Sequence, residues 1–334
     1  MAWYKATGNE SPIVLSTRVR LARNSEDYPF PVRLDADEKS RVCTAVKEAL
    51  ADYKDDSLNY IEMASLSPAE AVSLAEKHLI SPEFAYERAG RALILSEDED
   101  ISIMLCEEDH IRIQVIAPGL ALEEAFDKAD KIDSVIEKKI NYAFMEPLGY
   151  LTQCPTSLGT GMRASVMLHL PALTSKGAMR RLSTTVAKLG LTLRGTFGES
   201  NEGVGDIYQL SNQVTLGISE KAALQNLSSI AMQIVTQEKQ ARAVLVKDED
   251  FIDKIYRSWG ILRSAYKLSS QELYNLISYV CVGACEGVID VPVDRLIRAV
   301  IEYQPASMNV AEGKKLTQNE RDILRAQKVR ELLS

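Results

Sequence analysis

"RALILSEDEDISIMLCEEDHIRIQVIAP", residues 91–118, holds three β-rich segments parted by acidic turns. "RALILSE", "DISIMLCEE" and "HIRIQVIAP" are each of strand length and rich in β-branched residues. "SEDED" between the first two is a polar turn. Strands in a run at hairpin spacing build an antiparallel sheet.

Working outward, "SPIVLSTRVRLARN" at residues 11–24 begins as an apolar run and then alternates Arg18, Val19, Arg20 and Leu21. Side chains two apart share a strand face, so Arg18 and Arg20 should point the same way. "GMRASVMLHL", "LTLRGTFGES" and "GDIYQLSN" read as further strands. Helices are expected over 35–53, 119–142, 171–189 and from 219 to about 246. Ser67, Pro68 and Glu70 form an N-cap, first-turn proline and capping box, and Ser269 with Glu272 and Thr317 with Glu320 repeat the capping-box spacing. After "KDED" the pattern is helical throughout. The fold class is therefore α+β, a mainly antiparallel sheet flanked by helices, with a catalytic-type domain over 12–245 and an all-α domain over 246–334.

The 334 residues suit one large and one smaller domain, with 46% hydrophobic and 26% charged residues. A net charge of -8 argues against a nucleic-acid partner. Cys43, Cys106, Cys154, Cys281 and Cys285 are odd in number, widely spaced and lack a CxxC pair, as reduced cytoplasmic thiols would be. Cys281 and Cys285, one helical turn apart, read as small buried helix residues. Three histidines leave little for a metal site. Neither a signal core nor a membrane-spanning run stands out.

"TQCPTSLGTGMRAS", residues 152–165, puts a thiol, two glycines and an arginine close together. Arg163 joins Arg18, Arg20, Arg112 and Arg194 at strand ends beside glycine loops. Each alone is an ordinary surface charge. Together they suit a polyphosphate, whose oxygens the guanidinium fork matches and which glycine loops let backbone N–H groups approach. A Walker A lysine loop and a GxGxxG kinase set are both missing. Glu108 in "CEEDH" and Glu199 ending "RGTFGE" are two carboxylates able to grip a guanidinium. That group's high pKa demands a positioned base before its nitrogen attacks. Cys154 beside it adds a third anionic contact if its thiol ionises, as neighbouring arginines favour.

"STRVRLARN", "CEEDHIRI", "CPTSLGTGMRAS" and "RGTFGESNEGVGDIYQLSN" resemble, in the family's order, the catalytic domain of the phosphagen kinases, the creatine and arginine kinases. The resemblance covers residues 12–245. "EKHLISP", "RASVMLHLPAL", "SNQVTLG" and "ERDILRA" are similar to the bacterial, protein-arginine-phosphorylating branch of that family. It implies a glutamine-synthetase-type sheet, and ATP held by Ser16, Thr17, Arg18, Val19, Arg20, His78, Arg112, Arg163, Ala164, Ser165, Val166, Met167, Arg194, Gly195, Thr196, Phe197, Gly198 and Glu199. It implies Glu108 and Glu199 as catalytic groups on a substrate guanidinium, with Cys154 beside them, and Mg2+ carried by the phosphates. Arg321, Asp322, Arg325 and Ala326 would form a separate phosphoarginine pocket. Further implications are a homodimer, a zinc-binding activator protein and Clp protease partners, with protein arginines phosphorylated as marks for proteolysis under stress.

Leu95, Met167 and Gln209 depart from the creatine and arginine kinases, which have two histidines and an aspartate there. Glu199 agrees with members that use arginine. Those kinases also carry a small helical domain ahead of the catalytic one, and here "STRVR" starts by residue 16. The resulting expectation is a site open enough for an arginine on a protein. A free-arginine kinase and a non-catalytic phosphoarginine reader are the alternatives.

Overall fold

The computed structural model describes residues 2–196 and 203–334. In chain order it runs β1 (Val14–Arg23), α1 (Ala36–Ala49), β2 (Leu58–Glu62), α2 (Pro68–Glu76), α3 (Pro82–Tyr86), β3 (Ala92–Ser96), β4 (Ile101–Leu105) and β5 (Ile111–Pro118). Then come α4 (Leu122–Glu137), a short hairpin of β6 (Phe144–Met145) and β7 (Gly149–Tyr150), β8 (Met162–His169), α5 (Pro171–Ser175), α6 (Met179–Ala187), β9 (Leu191–Gly195), β10 (Ile207–Asn212) and α7 (Glu220–Leu245). Helices follow: α8 (Glu249–Ser264), α9 (Ser270–Cys285), α10 (Val293–Glu302), α11 (Pro305–Ala311) and α12 (Gln318–Leu333).

Eight strands form one antiparallel sheet in the order β2-β3-β4-β5-β1-β8-β10-β9. The α+β class expected from the sequence is the class observed. The 91–118 stretch supplies three neighbouring strands, and the alternating arginine strand, β1, lies at the centre between β5 and β8.

Alternation divides the sheet into two unlike faces. On one, Val19 and Leu21 of β1, Ile113 and Val115 of β5, Val166 and Leu168 of β8, and Leu210 of β10 are buried in the main core. The α4 residues Leu122, Ala125, Ala129, Ile132 and Ile136 recur at helical spacing and enter the same core. On the other face, Arg20 stands directly opposite Arg163 and Gln114, and Arg194 opposite Gln209. Among the described residues this second face is covered at its two ends only. At one, α2, α3 and their connection bring Ala71, Phe84 and Ile80 onto Leu93 and Met104. At the other, Trp3 and α9, α10 and α12 pack over Leu15, Ile116 and Met167. The middle is left open.

Three local expectations are corrected and one strand is new. Residues 171–189 form two helices rather than one, because Gly177 adopts a φ of +66° between α5 and α6. β2 is an unanticipated edge strand, half-exposed and polar at Asn59 and Glu62, so its sequence lacks a strong strand signature. Ser67–Glu70 and Thr317–Glu320 are complete capping boxes, whereas Ser269 accepts from the Glu272 N–H without the reciprocal bond. Cys281 is buried as expected, but Cys285 is exposed.

The helical region is keyed to the sheet by buried polar groups. Glu238 and Arg242 of α7 pair at 2.9 Å, and Glu238 caps the start of α5 through the Ala172 and Leu173 N–H groups. Arg242 donates to the carbonyl oxygen and Nδ1 of His169. The His169 Nε2–H then donates to Ser278 Oγ at 2.9 Å, and Ser278 to Asp206 at 2.6 Å. Among the described residues no helix is long and apolar enough to cross a membrane.

Candidate active site

The open middle of the arginine face is a cavity of about 920 Å³. Strand register explains what lines it. Arg18 and Arg20 come from β1, Arg112 and Gln114 from β5, Arg163 from β8, and Arg194 from β9, with Gln209 and Ser211 of β10 between. All five arginines singled out in the sequence thus meet on one wall.

Their electrostatics are unusual. Among the described residues, Arg18, Arg20 and Arg163 have no carboxylate partner, and the buried Nε of Arg163 has no hydrogen-bond partner. Burial first, and then the Arg163 and Arg112 charges, lower the Arg18 pKa to about 10. Burial, then Arg18 and Arg112, depress Arg20 well below its ordinary value. Both side chains still face the open cavity, so solvent moderates these shifts and the guanidinium groups stay charged at neutral pH. Burial, with the Arg194 and Arg112 charges, also lowers Arg163. Like charges held together without counter-charge want an anion with several oxygens.

Arg112 differs from the other four. Its Nη1 contacts Glu107 at 2.6 Å and its Nη2 contacts Glu108 at 2.8 Å. Both carboxylates sit on the β4–β5 turn, where Cys106 has a φ of +59°. The Glu107 side chain is 7% exposed and also accepts from Ser81 Oγ at 2.5 Å, while the Glu108 side chain is 40% exposed in the cavity wall. Sequence reading singled out Glu108 and missed Glu107. Two adjacent glutamates on a turn look alike until the fold buries one.

Cys154 lies half-buried just before a 3-10 turn at Pro155–Ser157, its Sγ 3.0 Å from Thr156 Oγ1. Its neighbour Gln153 lines the cavity. A thiolate at Cys154 would offset part of the charge crowding on Arg163. The two glycines of this stretch have another use than the sequence suggested. A Cβ on Gly161, which has a φ of +61°, would meet the Ala22 carbonyl oxygen at 2.6 Å. One on Gly159 would strike the Thr215 backbone. They let strands and loops close up behind the site rather than opening backbone toward a ligand.

Ser16, Arg18, His78, Ser165, Met167 and Gln209 gather at one end of the arginine wall around Trp3. Burial, then the Arg18 charge, lower the His78 pKa to about 3, so this ring is neutral beside the arginines. Trp3 donates its indole N–H to the Lys77 carbonyl and lies 6.1 Å from the His78 ring. Its part was invisible in the sequence, because only the fold brings the N-terminal segment against β1 and α10. Gly195 and Thr196 line the cavity too.

Thr17, Val19, Ala164 and Val166, also expected at the nucleotide, are on the opposite face. Thr17 Oγ1 donates to the Gly119 carbonyl, and the other three are in the core. Leu95 packs in apolar clusters against α2 and away from the cavity. Phe197, Gly198 and Glu199 lie outside the described residues.

The expected phosphoarginine residues are on α12. Arg325 is 1% exposed, and its donors go to the Tyr303 carbonyl at 2.9 Å, the Leu268 carbonyl at 2.8 Å and Asp322 at 2.6 Å. Arg321 donates to the Leu316 carbonyl at 2.6 Å, and Ala326 is fully buried. Arg321 and Arg325 are one helical turn apart on α12, and Asp322, which follows Arg321, pairs with Arg325.

Among the described residues no group of three or more His, Cys, Asp and Glu side chains could hold a metal ion. The wall instead offers cations to a polyphosphate, and the Glu107–Glu108 turn offers carboxylates to a cationic substrate.

The family profile "ATP:guanido phosphotransferase, C-terminal catalytic domain" matches residues 41–241, and "Protein-arginine kinase McsB C-terminal domain" matches 248–334. The chain is 44% identical over 335 residues to a protein-arginine kinase of Halothermothrix orenii, covering 99% of this chain and 96% of that protein. It is 45% identical over 337 residues to one of Brevibacillus brevis, with 99% and 94% covered. A crystal structure of lombricine kinase matches with a TM-score of 0.62 and 26% identity, over 71% of this chain and 69% of its own. The duplicated taurocyamine kinase of Schistosoma mansoni, with bound transition state analog components, matches at 0.61 and 28%, over 68% of this chain and 33% of that longer one.

Proposed function

Since the chain belongs to the ATP:guanido phosphotransferase family and is a protein-arginine kinase, we propose that its open arginine wall holds the ATP phosphates while Glu108 handles the target guanidinium. The observation that carries this reading is the convergence of five guanidinium groups from four strands, three of them without a carboxylate partner among the described residues. Arg18, Arg20, Arg163 and Arg194 neutralise the phosphates, and Arg112 bridges from that wall to the Glu107–Glu108 turn. Phosphoryl transfer depends mainly on positioning and charge stabilisation, which a rigid sheet supplies.

Glu108 places Oε2 on Arg112 and keeps its other oxygen for substrate. It orients the guanidinium and takes up the proton released as the nitrogen bonds to phosphorus. The second carboxylate of this reading is Glu199, which lies outside the described residues, and Cys154 is its thiol. Magnesium, when bound, would supply charge stabilisation to the phosphates, and among the described residues no group of three or more His, Cys, Asp and Glu side chains could hold it. The base end of the nucleotide meets Trp3, the neutral His78 ring and Met167.

We carry four further readings as proposals: a cytoplasmic homodimer, a zinc-binding activator protein, Clp-type proteolysis of the marked substrates, and a role in stress and protein quality control. A phosphoarginine contact at Arg321 and Asp322 is a fifth, with Arg325 as its buried anchor because its donors face protein carbonyls.

The test is to incubate the protein with Mg-ATP and casein and map phosphate by mass spectrometry under non-acidic conditions. Acid-labile phosphate on casein arginines, lost in Glu108→Ala, is expected. Transfer to free arginine alone would make this a small-molecule kinase. Phosphoarginine binding without any transfer would support a reader.

A further inference from the structure

A knot of buried polar groups lies behind the catalytic turn, at the C-terminal end of β1. Asp109 directly follows Glu108 and is 0% exposed, with no cation bonded to it among the described residues. Its Oδ1 accepts from Asn24 Nδ2 at 2.7 Å and from the Gln153 backbone N–H at 2.8 Å. Its Oδ2 is buried without a hydrogen-bond partner among the described residues. Asn24 is 2% exposed; its Nδ2 also donates to the Leu151 carbonyl at 3.0 Å, and its Oδ1 accepts from the His110 N–H at 2.9 Å. His110 is itself fixed, Nδ1 accepting from the Ser25 N–H and Nε2 donating to the Pro29 carbonyl.

Three chain segments therefore meet at one carboxylate oxygen. They are the end of the strand carrying Arg18 and Arg20, the turn carrying Glu107 and Glu108, and the segment carrying Cys154. Glu108 is one residue from the knot on one side and Cys154 one residue from it on the other. A lone buried carboxylate is costly, and core packing alone does not call for it. Two converging N–H donors do call for a strong, compact acceptor.

We propose that Asp109 is a positioning residue which, with Asn24, fixes the spacing between Glu108 and Cys154 and so the orientation of the guanidinium between them. This rests on the reading of the site given above. Asp109 is fully buried and does not line the cavity. It acts through the two segments it joins, while the phosphate wall is held separately by strand pairing.

The experiment compares wild type with Asp109→Ala, Asp109→Asn and Asn24→Ala, each checked by thermal unfolding. In the casein assay Asp109→Ala should lose about 100-fold in kcat, the cost of a displacement of about 1 Å at a reacting group. Its KM for Mg-ATP should stay within about 3-fold, because the nucleotide wall is separate. Asp109→Asn keeps an acceptor oxygen for both donors and should recover most of the loss. Asp109→Ala combined with Cys154→Ala should lose less than the product of the two single effects. An activity-independent readout is the iodoacetamide alkylation rate of Cys154, followed by peptide mapping, which should change several-fold in Asp109→Ala and in Asn24→Ala. Unchanged kcat and alkylation in a folded Asp109→Ala would overturn the proposal. So would a fully multiplicative double variant, or a KM for Mg-ATP rising in step with the fall in kcat. Wild type inactive on casein with the alkylation change intact would sink the functional reading and leave the knot standing.

Discussion

Two arginine groups in this molecule look alike in sequence and differ in physics. Arg18, Arg20 and Arg163 crowd one wall, have their pKa values lowered by burial and then by neighbouring arginines, and have no carboxylate partner among the described residues. Arg325 is more completely buried, yet its donors are matched by two backbone carbonyls and Asp322. The first group is held in a state that an anion would relieve. The second ties α12 to the end of α10 and to the α8–α9 connection. Burial alone does not mark a binding arginine; burial without a partner does.

The contrast breaks most readily at its catalytic edge. Glu108→Gln removes the base and should lower kcat about 100- to 10,000-fold with the fold intact, read by initial rates on casein and by thermal unfolding. A smaller effect is expected for Arg325→Met. It strands two carbonyls and Asp322, and should cost about 3 kcal/mol of stability in denaturant unfolding while the KM for Mg-ATP stays put. Stability unchanged with weaker nucleotide binding would reverse the two groups' roles.

The finest test is pH. His169 is 4% exposed, and burial, then the Arg242 charge, hold its pKa well below the ordinary value. Its unfolded pKa is about 6.5, so above that pH it contributes no pH dependence. Below it the unfolded chain binds a proton that the folded chain refuses. Stability then falls by up to about 1.4 kcal/mol per pH unit until the folded pKa is reached. His169→Gln should flatten that slope between pH 6.5 and 5, and an unchanged slope would assign it to other groups.

How much of this was legible in the sequence follows from range. Period-two alternation in "STRVRLARN" put Arg18 and Arg20 on one face, and the structure keeps them there because strand geometry is local. The same alternation puts the side chains of Thr17, Val19, Ala164 and Val166, which the contiguous site ranges included, behind the sheet. The docking of Trp3, the burial of Glu107 and the knot at Asp109 arise from contacts across many residues, which no local spacing encodes. Gly159 and Gly161 were visible as special positions, but what presses on them is another strand and loop. On α12 the spacing of Arg321 and Arg325 was readable and the burial of Arg325 was not.

The most direct test of the central claim is a calorimetric titration of Mg-ATP into wild type, Arg20→Met and Arg325→Met. The unpartnered wall predicts that Arg20→Met weakens binding about 10- to 100-fold, as loss of a charged hydrogen bond does, and that Arg325→Met binds as wild type. Equal binding by wild type and Arg20→Met would contradict it.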